Sequence, residues 1–454
     1  MSSDLALAIG IQFLESGKAF ILSMAQDYLS LKKTDGSDSR GEHQLCYRAI
    51  GTRTLYTYIV ATSHGPLIFE VQAAGSFLST TPPETDQPYQ HQRTRGATSL
   101  SLSLHAHRSK HQAMAAPKKT MRALQYDKYG GGAEGLKHVD VPVPSPNKGE
   151  VLLKLEAASI NPIDWKIQKG MVRPFLPRKF PFIPVGDMSG EVVELGSGVT
   201  NFKPGDKVIS ISFATGGGLA EYAVAPASLT VARPPEVSAA EGASLPTAAS
   251  TALQQLKAAG VSSFDGGSGS VADNNGPKNV LVTAASGGVG HYAVQLAKLA
   301  GLHVTATCGA HNLGFVAGLG ADEVLDYKTP EGATLRSPSG TKYDAVVHCA
   351  TGTPWSVFAP VLADRATVVD VTPGIAAAAK SFLQKVTFAK KRLVPLVLIP
   401  KKEEMEWLVD MTRQGKLKTV IDSRYPLSRA QEAWAKSMEG HATGKIVVEM
   451  GGAE

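Results

Sequence analysis

The chain has 454 residues, 43% hydrophobic and 19% charged, the balance of a folded protein with room for two or three domains. Lys and Arg number 46 against 40 Asp and Glu, a mild basic excess without the long like-charged block of a nucleic-acid arm, so nucleic acid is not expected as a partner. Three cysteines without a CxxC pair (Cys46, Cys308, Cys349) exclude a disulfide framework and a structural zinc knuckle, and no stretch reaches the roughly 18 uninterrupted apolar residues of a spanning helix.

Residues 1–113 alternate short apolar runs with polar stretches and sustain neither a strand nor a helix period, so 1–117 is read as an extension that is unassigned or disordered. Between Gln87 and Lys119 no acidic residue occurs, while Arg93, Arg95, Arg108 and Lys110 mix with Ser99, Ser101, Ser103 and Ser109, a composition like an organelle transit peptide. Such a peptide belongs at the extreme N-terminus. Two plainer readings therefore stand beside it: a disordered tail, or sequence upstream of a start at Met114 or Met121.

The body opens on Met121-Arg-Ala-Leu-Gln-Tyr126 and a Gly-rich turn at 130–132. It continues as short strands punctuated by Gly and Pro, among them 150–157 and 189–195, which predicts an all-β unit. From about 245 the pattern changes to strand then helix: a strand over 280–284, a helix over 289–300, a strand over 303–307, and further strands near 345–347 and 367–371. That alternation predicts a parallel, doubly wound sheet. The stretch 261–279, rich in Gly, Ser, Asp and Asn, reads as a surface loop or insertion.

The cofactor signal is the run Val280-Leu-Val-Thr-Ala-Ala-Ser-Gly-Gly-Val-Gly290, where a strand turns sharply into a helix. Without side chains at such a turn a pyrophosphate can approach backbone N–H groups and the positive helix end. Ser286, Gly287, Gly288, Val289 and Gly290 are the residues expected around the phosphates. NAD binders carry an acidic residue for the ribose 2′-hydroxyl about twenty positions after the glycines. Here Thr307, Cys308, Gly309, Ala310, His311 and Asn312 stand there instead. No carboxylate repels a 2′-phosphate, Gly309 and Ala310 leave room for one, and His311, Asn312 and Lys328 supply polar or cationic partners, so NADPH is preferred. The plain alternative is an ordinary strand-to-helix turn capped by Asn312.

No metal site is expected. Asn161-Pro-Ile-Asp-Trp-Lys166 and Pro184-Val-Gly-Asp187 occupy the places where zinc ligands of an alcohol dehydrogenase would fall, and His348 and Cys349, adjacent on a strand, point to opposite faces. Without a Lewis acid, reducing an activated double bond or a quinone is easier than interconverting alcohols and ketones, because conjugation spreads the developing charge.

The segments Ala123-Leu-Gln-Tyr126, Asn161-Pro-Ile-Asp-Trp-Lys-Ile-Gln-Lys-Gly170, Arg173-Pro-Phe-Leu-Pro-Arg-Lys-Phe180, Val282 to Lys298, Ala321-Asp-Glu-Val-Leu-Asp-Tyr327 and His441-Ala-Thr-Gly-Lys445 resemble the quinone-oxidoreductase homologs of the chloroplast envelope. These form a zinc-independent branch of the medium-chain dehydrogenase/reductase family that includes alkenal and enone reductases. The resemblance implies a GroES-like substrate domain (118–245 with 424–454) enclosing a cleft against a Rossmann NADPH-binding domain (246–423). It also implies hydride transfer to α,β-unsaturated carbonyls, γ-ketols or quinones, and a homodimer. Lys166 would contact the cofactor near its reacting carbon or hydrogen-bond the substrate oxygen, the alternative being a solvated surface lysine, and Tyr327 would lie on the adenosine side. His311 stands where relatives carry arginine. The implied location is the chloroplast, peripheral at the envelope, with the cytoplasm as alternative. Lys390-Lys-Arg392 and Lys401-Lys402 around the apolar 393–400 suit peripheral contact with anionic lipid. A nucleotide-binding protein without turnover is the competing function.

Overall fold

The computed structural model describes residues 119–451, except 174 and 265–276, and the backbone of three strands farther upstream. Those strands, β1 (Cys46–Ile50), β2 (Arg53–Thr62) and β3 (Gly65–Ala73), make an antiparallel sheet in sequence order. They belong to a unit of their own, 1–109. This stretch therefore carries strands that its composition did not assign, built on Tyr, Ile, Val and Thr residues suited to a pleated surface. The run 87–118, with its transit-like composition, lies outside the described residues.

The body begins with the ribbon β4 (Thr120–Gln125) and β5 (Lys137–Pro142), then β6 (Glu150–Ile160) and helix α1 (Pro162–Gln168). The β unit is thus not purely β. Asn161 and Asp164 form a capping box at the start of α1, and Pro162 opens its first turn, where a missing N–H costs nothing. β7 (Asp187–Leu195), β8 (Lys207–Ile211), β9 (Tyr222–Pro226) and β10 (Thr230–Ala232) follow, then α2 (Ala239–Ser244) and α3 (Ala248–Ala258). Alternate residues Val151, Leu153 and Leu155 of β6 enter a core with Met188, Val192 and Val208.

The second layer runs β11 (Asn279–Val282), α4 (Gly290–Leu299), β12 (His303–Cys308), α5 (Leu313–Gly318), β13 (Glu323–Asp326), α6 (Pro330–Ala333), β14 (Tyr343–His348), α7 (Trp355–Phe358), β15 (Leu362–Asp370), α8 (Ile375–Val386), β16 (Arg392–Pro395) and α9 (Lys402–Arg413). Its strands are parallel, in the order β13-β12-β11-β14-β15-β16. Val280, Leu281, Val282, Val346, Val347, Val368 and Val369 are fully buried, because a parallel sheet is covered on both faces and its strands read as continuous apolar runs. Strand order reverses between β11 and β14, and the crevice beyond their carboxyl ends is where such sheets bind ligands.

At Ile421 the chain recrosses to the first sheet as β17 (Ile421–Pro426), passes α10 (Ala430–Glu439), and ends with β18 (Lys445–Glu449). That sheet is ordered β10-β8-β7-β6-β18-β17, with β9 also paired to β6. Trp434 of α10, fully buried, packs on Leu124, Tyr126 and Ile160 and locks the C-terminal segment to the start of the body.

Candidate active site

The glycine turn lies at the switch point, between β11 and α4. Ala284 holds a left-handed φ of 51°, an uncommon conformation for a residue with a side chain and one that clusters at functional turns. Gly290 is required by packing: a Cβ there would stand 2.2 Å from the Ala284 carbonyl oxygen and 2.7 Å from the Ala285 Cα. Gly287 and Gly288 are less crowded, their nearest neighbours at 3.3 and 3.4 Å. The first turn of α4 leaves N–H groups without helical partners, and they and the helix dipole face whatever lies beyond the turn. Ser286 to Gly290 therefore fit a pyrophosphate.

The end of β12 brings together a second group. A Cβ on Gly309 would lie 3.3 Å from His311 Cε1 and 3.8 Å from Tyr327 Cε1, and the Lys328 ammonium stands 5.9 Å from the centre of the half-exposed Tyr327 ring. Gly309, His311, Tyr327 and Lys328 thus converge, with Ala310 exposed beside them. Two expected residues are turned to other work. Thr307 is buried in the strand, its carbonyl accepting the Ala285 N–H at 2.8 Å. Asn312 caps nothing, and its amide instead donates to the Thr443 hydroxyl at 3.0 Å, joining the nucleotide domain to the C-terminal segment.

In the first domain, Lys166 in the last turn of α1 is half-buried, its ammonium 5.7 Å from the Trp165 ring. Burial lowers its pKa, and the Asp370 carboxylate at the end of β15 opposes that shift. The lysine of the substrate domain thus lies within electrostatic reach of a carboxylate at the carboxyl end of the parallel sheet. That edge is tied by side chains the sequence reading missed. Thr283 accepts from the Cys349 N–H at 3.0 Å and bonds His348 Nδ1 at 2.8 Å. Gln255 of α3 donates to the His348 and Val369 carbonyls at 3.2 and 3.0 Å and accepts from the Cys349 thiol. Burial pushes that thiol up to about 12, which makes it inert.

Under the glycine turn lies a buried charged cluster. Asp187 accepts from the Thr247 hydroxyl at 2.6 Å and N–H at 3.1 Å, and from the Asn161 amide at 2.8 Å. Asp164 accepts the Asn161 N–H at 2.7 Å, and burial raises its pKa to about 7. The Lys445 ammonium donates to the Asn161 amide oxygen. The donors in this cluster do not suit zinc. Both carboxylates are engaged by N–H and O–H groups beside a lysine cation, and among the described residues no three His, Cys, Asp or Glu side chains gather to hold a metal. The sequence showed its members only as separate segments, Asn161 to Lys166, Pro184 to Asp187 and His441 to Lys445, with nothing to say that they meet.

Among the aromatic and apolar residues beside the site, Trp165 and Phe213 are half-buried and Phe175 is exposed, whereas Leu393 is buried in the core around β14 and β15. The apolar run 393–400 is thus partly a core strand. Val397 and Ile399 of that run are exposed, as are Phe382, Leu383, Val386 and Phe388 before it.

Residues 147–235 match the family described as alcohol dehydrogenase GroES-like domain, and 319–448 the one described as zinc-binding dehydrogenase. The chain is 64% identical over 333 residues, 73% of its length and 99% of the relative's, to the chloroplast envelope quinone oxidoreductase homolog of Arabidopsis thaliana. It is 29% identical over 347 residues to that plant's chloroplastic NADPH-dependent alkenal/one oxidoreductase, covering 74% of this chain and 81% of the relative. Among solved structures, the quinone oxidoreductase of Coxiella burnetii aligns with a TM-score of 0.64 and 34% identity over 73% of this chain and 100% of that one. The two domains, the glycine turn at their junction and these likenesses converge: the chain belongs to the quinone-oxidoreductase homologs of the medium-chain dehydrogenase/reductase family.

Proposed function

We propose that the protein is an NADPH-dependent reductase of α,β-unsaturated carbonyls (enones, alkenals, γ-ketols) or quinones, working without a metal. The observation that carries this reading is the pairing of the glycine turn at the switch point with Lys166 of the first domain, beside a carboxylate cluster filled by a lysine rather than a metal. The bound dinucleotide supplies a hydride. Lys166 offers a half-buried donor for the acceptor oxygen, so the negative charge that develops there meets a cation whose attraction is little screened. Burial lowers the pKa of the same ammonium, which eases proton delivery to that oxygen. Gly309, His311, Tyr327 and Lys328 hold the adenosine end.

The cofactor preference rests on the absence of a carboxylate among residues 307–312. Arginine in place of His311 adds a charge-assisted bond to a 2′-phosphate, so His311→Arg raises the NADPH-over-NADH preference about tenfold, the equivalent of about 1.4 kcal/mol. We place the protein in the chloroplast, at the envelope surface, following the name of its Arabidopsis relative. The exposed apolar side chains Phe382, Leu383, Val386 and Phe388, with the exposed Lys385, Lys390 and Arg392 near them in sequence, would meet anionic lipid, and the outer edge of β16 would pair with a second copy. The deciding experiment is an NADPH titration followed by an NADPH-oxidation screen over small enals, enones and quinones. Oxidation by a conjugated acceptor supports the reading. Binding without oxidation of any acceptor points to a non-catalytic nucleotide-binding protein, and stoichiometric zinc in the active protein removes the metal-free claim.

A further inference from the structure

We infer that Lys445 is a positioning residue of the nucleotide site: a buried cation of the first domain whose stem supports the glycine turn from beneath and whose head fixes the N-terminus of α1. The inference rests on the reading that this turn binds NADPH. Lys445 is 2% exposed, and a lysine is almost never so buried without partners. Its head donates to the Asn161 amide oxygen, and the Asn161 amide nitrogen donates to Asp187 at 2.8 Å, so one amide stands between cation and carboxylate. Asn161 also caps α1, the helix that carries Lys166, and Asp187 receives the N–H of Thr247 at the start of α3.

The stem and backbone of the same residue reach the other domain. A Cβ on Gly288 would stand 3.4 Å from Lys445 Cδ and 3.4 Å from the Gly444 carbonyl oxygen. The Gly444 N–H donates to the Ser286 carbonyl at 2.8 Å, and the Lys445 N–H to the Val420 carbonyl at 2.9 Å. Gly444 sits at a φ of 89° with the Val420 oxygen 2.3 Å from any Cβ, so the backbone threads a gap that only glycine passes. His291 in the first turn of α4 closes the frame, bonding the Gly287 carbonyl through Nδ1 at 3.0 Å and accepting the Val420 N–H on Nε2 at 3.3 Å. The turn is thus held from below at Ser286, Gly287 and Gly288 by a segment whose lysine also sets α1. Phosphate seat and hydride-side lysine share one support.

A lysine that merely neutralises Asp187 would leave nucleotide affinity alone once that charge is removed. The test compares Lys445→Met with Lys445→Met/Asp187→Asn. The single variant leaves a carboxylate buried without its cation and loses thermal stability. The double variant removes the charge too and recovers most of the melting temperature, yet binds NADPH roughly tenfold more weakly, which is about 1.4 kcal/mol, with faster amide hydrogen exchange across 284–290. A double variant with wild-type NADPH affinity and exchange overturns the inference. Wild-type protein that fails to bind NADPH at all overturns the proposed function instead.

Discussion

His291 shows how much one side chain settles at the residue scale. The ring is fully buried, and burial lowers its pKa to about 4 from an ordinary 6.5. The unfolded chain takes up a proton below 6.5 while the folded chain refuses it until about 4. The unfolded state therefore binds more protons in that window, and the stability this ring contributes is present above pH 6.5 and lost as pH falls towards 4. Asparagine keeps a donor near the position of Nδ1 and does not titrate. His291→Asn should melt lower than wild type at pH 7, by the equivalent of about 1 kcal/mol for the lost Val420 bond. That gap should narrow as pH falls, and a gap that stays constant in melting curves between pH 4.5 and 7.5 would mean the ring is not the titrating group.

At the scale of elements, the turn into α4 separates glycines that packing demands from glycines it does not. Gly290→Ala drives a methyl into the Ala284 carbonyl at 2.2 Å, with backbone on both sides, and should cost about 3 kcal/mol and abolish NADPH binding. Gly314→Ala, in α5 with nothing within 4 Å of the new methyl, should gain about 0.5 kcal/mol from helix propensity and leave binding intact. Urea unfolding and NADPH titration of the two variants check both signs. The parallel sheet was legible in the sequence because burial on both faces writes uninterrupted runs such as Val280-Leu-Val282, and the glycine turn because it sits between such a strand and a helix. α1 was not legible, because seven residues among short strands carry too little helical period to stand out, and the capping box of Asn161 with Asp164 shows only in the structure. The support under the turn was hidden for another reason: Lys445 and Asn161 are 284 positions apart, and local pattern carries no information about partners at that distance.

For the whole molecule, surface chemistry is decided by assembly rather than by sequence period. Phe382, Leu383, Val386 and Phe388 are exposed, Phe388 to 91%, which an isolated soluble surface seldom tolerates as a cluster. If this face meets the envelope, Phe382→Asp/Phe388→Asp should release the protein from anionic vesicles in flotation assays, and salt should weaken wild-type binding because Lys385, Lys390 and Arg392 contribute by charge. Unchanged flotation together with a shift from dimer to monomer in light scattering would reassign the patch to a subunit contact. The edge of β6 carries a different consequence. β9 covers its residues 150–154 and β18 its residues 157–160. A ribosome therefore releases β9 well before β18, leaving half of one strand edge uncovered while the nucleotide domain emerges. The substrate domain waits for its last strand, and in that interval the nascent chain is open to wrong pairing and to chaperones.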